Sequence, residues 1–146
     1  MEMVLALTLH IMSVVVWIGG VTFVTLVTFP MILRMEKSLE MVMMFQGTEH
    51  RFVKIAKAMV ILAGLSGFYL LYEKGLSTAV IIMIVIWAGY ALLIFGLEKK
   101  LFVKLFGRPE DQTDTKKVFK ILQIFHWVVL ALSFLAIAAG VYEAHY

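Results

Sequence analysis

No cysteine occurs among the 146 residues, which excludes disulfides, thiolate metal centres and iron–sulfur clusters. Any metal must then be held by histidine, methionine, carboxylate or backbone oxygen. Charge is scarce as well: 16% of the residues are Asp, Glu, Lys or Arg against 62% hydrophobic, more apolar surface than a water-soluble domain of this length can bury. The expected medium is a lipid bilayer. The net charge of +3 gives no ground for a nucleic-acid partner, because in a membrane protein the position of the charges says more than their sum. Also missing are a P-loop, a dinucleotide fingerprint, a nucleophile elbow, HExxH and paired intramembrane carboxylates. Hydrolase and nucleotide chemistry therefore lack support, and no catalytic residue can be named.

What is present is four long apolar runs. About 20 helical residues cross the hydrocarbon core, and the runs at about 3–33, 52–72, 78–97 and 118–142 each meet that length. They predict an all-α, integral membrane four-helix bundle forming one domain over residues 1–146. A cleaved signal peptide is a poor fit to the first run, which lacks a basic leading region and is too long. Arg34 to Glu49, with Met41 and Met43, reads as an amphipathic helix or extension lying at the interface and closed by Gly47. Glu73, Lys74 and Gly75 make a short hairpin, with Ser77 as N-cap of the third span. Gly107 to Thr115, GRPEDQTDT, reads as a hydrophilic loop. Twelve of the thirteen Lys and Arg residues fall in the first and third connections, only Lys74 in the second. Basic loops stay cytoplasmic, so both termini are expected on the outer, periplasmic side of an inner membrane.

The polar residues inside these spans need partners. His10, Ser13, Trp17, Val21, Val24 and Thr28 share one stripe of the first span, and Gln123, His126, Ser133 and Gly140 share one of the fourth, with Trp127 beside it. These two faces are expected to turn inward. Ionisable groups within spanning helices face the bundle interior and mark functional sites by default. A histidine on each of two helices therefore suggests a shared ligand or a pair of ligands, and neutral imidazole is the common axial ligand of haem iron. The competing reading is a histidine that only hydrogen-bonds a hydroxyl or carbonyl on a neighbouring helix. His10 lies roughly 10 to 12 Å outward from the middle of its helix and His126 about 6 Å inward, so one iron need not join them. His50 is expected at the cytoplasmic interface, near a propionate or a second metal, and His145 in solvent. Gly64 with Gly67 and Gly89 with Gly96 read as points of close helix approach, while Gly19 and Gly20 follow the His10 and Trp17 pair. Trp17, Trp87, Trp127 and Tyr90 would be able to line a flat ring system.

The stretch LHIMSVVVWIGGVTF, with His10, Trp17, Gly19 and Gly20, then Phe29 and Pro30, resembles the first helix of two families of small membrane proteins. One is the copper-resistance D (CopD) family; the other is the HemJ type of protoporphyrinogen oxidase, whose likeness runs on into EHRFVKIAKAMVILAG. The resemblance covers about the first 70 residues. Similarity to the HemJ type implies a b-type haem near His10, with Trp17 and Gly20 beside it, and oxidation of protoporphyrinogen IX. That type carries a lysine in its third helix, where this chain has Trp87 and Tyr90. His126 comes from the residue pattern alone.

The expectation is a b-type haem protein that uses His10 and His126 and carries electrons between a membrane quinol and a redox partner protein. The chain is expected to work as a homo-oligomer or with a partner subunit. The alternatives are an oxidoreductase of the HemJ kind and a copper-handling module of the CopD kind using His10 and Met12.

Overall fold

In a computed structural model, residues 1–97 and 112–145 are described, and all the regular structure among them is helical. Helix α1, Glu2–Phe23, passes through a π-helical turn at Val24–Thr28 into the short α2, Phe29–Leu33. The cause of the wide turn stands at Pro30. Proline cannot donate to an i−4 carbonyl and its ring crowds that carbonyl, so the helix either kinks or widens. Here the Phe29 amide donates to the Val24 carbonyl five residues back, and the rod continues.

Helix α3, Ser38–Lys74, returns across the bundle and ends at Gly75, whose φ of 85° only glycine adopts freely. Helix α4, Thr78–Leu92, starts at Ser77, whose Oγ accepts the Val80 N–H at 3.3 Å, and closes with a π turn at Leu93–Leu97. Helix α5, Gln112–His145, completes the bundle. Four stretches are long and apolar enough to cross a membrane: Glu2–Leu33, His50–Lys74, Thr78–Gly96 and Thr115–His145. Lipid-facing side chains such as Leu65 and Leu92 are 68% and 70% exposed, as a bilayer solvent requires.

Both termini and the Gly75 hairpin lie at one end of the bundle. There the Ala79 N–H at the start of α4 donates to Glu143 Oε1 at the end of α5, at 3.3 Å. At the opposite end lies a cluster that the sequence reading missed. Phe29, Ile32, Met41, Phe45 and Phe119 bury one another. The segment read as an amphipathic helix or helical extension is a helical extension: it forms the first third of α3, ahead of the span His50–Lys74, and packs on α2 and α5. Gly47 does not close it: the glycine is helical and exposed, so its cost of about 1 kcal/mol against alanine is outweighed by the burial of Met41 and Phe45. Met41 is fully buried and Met43 is 62% exposed, so the pair shares no site. The loop expected at Gly107–Thr115 lies outside the described residues as far as 111; from Gln112 the chain is already helical.

Candidate functional site

The stripe on α1 faces inward. Ser13, Trp17, Val21, Val24, Thr25 and Thr28 are buried, while Val15 and Val16 meet lipid. His10 is half-buried at the top of this stripe and has a partner on α3. Its Nδ1 lies 3.0 Å from the Ala63 carbonyl and 3.3 Å from Ser66 Oγ. A carbonyl only accepts, so Nδ1 carries the proton and Nε2 keeps its lone pair. Ser66 holds its own place by donating to the Leu62 carbonyl at 2.6 Å. The ring is admitted by Gly67: a Cβ there would lie 3.0 Å from His10 Cε1.

Trp17, two turns further on, packs against Tyr90 of α4 with ring centroids 5.0 Å apart. Its buried indole N–H has no hydrogen-bond partner among the described residues. A buried donor left unpaired costs about 1–3 kcal/mol, so the site is polar where the surrounding core is not. Gly20 does not face an open space. A Cβ at Gly20 would fall 1.9 Å from Phe52 Cε2, so the phenyl ring of α3 occupies the notch. Gly64 serves Trp87 in the same way, and the Trp87 Nε1–H donates to the Val60 carbonyl at 2.8 Å. Gly89 and Gly96, expected at helix contacts, have nothing within 4 Å of the added Cβ.

His126 of α5 is 8% exposed, and its Nδ1 lies 2.8 Å from the Leu122 carbonyl of its own helix. The same logic leaves its Nε2 unprotonated. The ring meets Phe29 edge-on at 5.0 Å between centroids. Phe29 stands nineteen residues beyond His10, which at about 1.5 Å per residue puts the two imidazoles roughly 28 Å apart along the bundle. They do not share a ligand. Trp127, expected beside the His126 face, is 47% exposed and points to lipid instead, because a step of one residue turns the helix by about 100°. His50 is exposed at the start of its span, and His145 is exposed with Nδ1 on the Val141 carbonyl. Met12, 61% exposed, is turned away from His10 by two residues of helix.

His10 and His126 each present one unprotonated ring nitrogen, and they do so singly. A metal-ligating histidine characteristically gives its other ring N–H to a carbonyl, which fixes the tautomer and the ring plane, and His10 and His126 both do so. The unpaired Trp17 N–H on the His10 stripe supplies a donor for a polar group. For a bare ion held by several side chains the chemistry is poorer: among the described residues no three His, Asp or Glu converge.

The long apolar helices define a multi-pass membrane protein with two well-separated histidines turned into the bundle. Comparison with protein-family models, with curated proteins and with solved structures found no match to this chain.

Proposed function

We propose that this chain is a b-type haem-binding protein of the inner membrane that carries electrons, with both termini on the outer side. One observation carries the reading: each membrane histidine spends its Nδ1 proton on a backbone carbonyl and keeps Nε2 as a lone-pair donor. His10 and His126 would each serve as an axial ligand to a separate iron. The orientation rests on the crowding of Lys and Arg into the first and third connections. It puts His10 in the outer leaflet and His126 in the inner one.

Haem, when bound, supplies reversible one-electron chemistry. The chain's own residues do the rest. Ala63 and Ser66 hold the His10 ring in one plane, Gly67 admits it, and Trp17 offers an N–H to a polar group in an otherwise apolar shell. At the other centre the Leu122 carbonyl fixes the His126 tautomer, and Phe29 sets the ring's tilt. A quinol is the natural donor for such a carrier, because it moves in the same apolar medium.

The absorption spectrum of the detergent-purified protein tests the proposal. Expression with ample haem is expected to give a Soret band, and dithionite to give sharp α and β bands. A flat visible spectrum would remove both the carrier and the HemJ-like oxidase. Stoichiometric copper without iron would move the function to the copper-handling class.

A further inference from the structure

Over the part of α3 that begins its span, one side is turned into the bundle, where Val53, Ala56, Val60 and Ala63 are buried. The opposite side, with Arg51, Lys54, Ile55, Ala58, Ile61 and Leu65, is exposed. These residues recur at helical spacing within His50–Lys74, a stretch long and apolar enough to cross a membrane, so the medium that covers them is lipid. The two cations decide which lipid.

Arg51 and Lys54 stand one turn apart where the span begins, at the level of the headgroups. The sequence from His50 to Tyr72 holds no Asp or Glu. Among the described residues neither cation has an acidic group within ion-pair distance, the pair of Lys37 with Glu40 at 3.4 Å lying ahead of the span. Lys57, a turn deeper, is turned to α4, its Nζ 5.9 Å from the Phe95 ring centroid. Past Lys54 the exposed side is apolar: Ile55, Ile61 and Leu65 are 51%, 49% and 68% exposed, and Ala58 leaves a low point among them. Ile55 to Leu65 covers about 15 Å of helix, the depth of one leaflet in a hydrocarbon core of about 30 Å. The face therefore offers positive charge at headgroup level above an apolar track as long as one acyl chain. A zwitterionic headgroup sets its own ammonium against its phosphate. An anionic headgroup keeps a net negative charge for the guanidinium, which takes phosphate oxygens in pairs, and for the lysine ammonium beside it.

We propose that this side of α3 is a binding site for an anionic phospholipid, its phosphate held by Arg51 and Lys54 and one acyl chain lying along Ile55, Ala58, Ile61 and Leu65. The site requires only that α3 spans the bilayer and is independent of the haem reading.

Native mass spectrometry of the detergent-solubilised protein, titrated with dioleoyl-phosphatidylglycerol and separately with dioleoyl-phosphatidylcholine, tests the assignment. The first phosphatidylglycerol on each chain is expected to bind saturably and more tightly than phosphatidylcholine. Arg51→Gln and Lys54→Gln are each expected to weaken it about fivefold, and together about thirtyfold. Arg51→Lys combined with Lys54→Arg keeps both charges and is expected to keep the binding. Lys116→Gln combined with Lys117→Gln removes the same charge from an exposed part of α5 and is expected to leave the affinity unchanged. An equal loss in that α5 variant makes the attraction a diffuse field of the whole basic end and overturns the site. Equal affinity for the two lipids, or undiminished phosphatidylglycerol binding when Arg51→Gln and Lys54→Gln are combined, overturns it as well.

Discussion

Replacing Gly20 by alanine tests the packing of α1 on α3 at its tightest point. The new methyl would fall 1.9, 2.3 and 3.1 Å from Phe52 Cε2, Cζ and Cδ2. Carbon atoms in contact prefer about 3.5–4.0 Å, so the whole ring must retreat by more than an ångström. Overpacking of this kind costs about 1–3 kcal/mol. The helix-propensity gain of alanine over glycine offsets at most about 1 kcal/mol of that. Helix association in a bilayer relies on close packing rather than on the expulsion of water, so the loss is not recovered elsewhere. Gly20→Ala is expected to unfold earlier in an SDS titration of the micelle-embedded protein, by about 1–2 kcal/mol net. Phe52→Ala in the same chain is expected to remove most of the penalty, with a coupling of about 0.5–3 kcal/mol in the double-mutant cycle. Unchanged stability of Gly20→Ala, or a penalty that persists without the phenyl ring, would refute the contact. At Gly89, where nothing lies within 4 Å, the same substitution is expected to cost nothing.

Other consequences follow from single contacts. Trp17→Phe keeps the ring on Tyr90 and removes an unpaired N–H, so in haem-free protein the same SDS titration is expected to show stability held or raised by about 1 kcal/mol. Glu143→Ala deprives the first turn of α4 of an acceptor and is expected to cost about 0.5–1 kcal/mol, seen as faster amide exchange at Ala79. Trp127 is 47% exposed toward lipid and Trp17 only 4%, so brominated acyl chains are expected to quench fluorescence strongly in a protein whose sole tryptophan is Trp127 and weakly where it is Trp17.

The spans, the hairpin and the inward stripe of α1 were legible because one solvent, lipid, imposes one rule on every exposed position. Ser13, Trp17 and Val21 are buried where the 3.6-residue period puts them. The long α3 was not legible. Charges at Lys37, Glu40 and Arg51 alternate with Met41 and Phe45, a pattern that describes an interfacial helix as well as one that buries a single face against α2 and α5. Gly47 looked like a stop because its cost is local, whereas the burial that overrides it comes from Phe29 and Phe119, far off in sequence. For the candidate site, His10 and His126 were visible as polar residues in apolar spans. Their partners were not, since backbone carbonyls leave no mark in the sequence and nothing in the spacing named Ala63. The notch filled by Phe52 was likewise invisible: a glycine announces missing volume but not what takes it.

Haem content per chain, measured as the pyridine haemochrome in the unaltered protein and in His10→Ala, His126→Ala and the double variant, tests the central claim most directly. With imidazoles roughly 28 Å apart along the bundle, each is expected to hold its own haem. Each single substitution should then remove only part of the haem, and the double should remove all of it. Loss of all haem on either single substitution, or no haem in the unaltered protein, would contradict two separate centres.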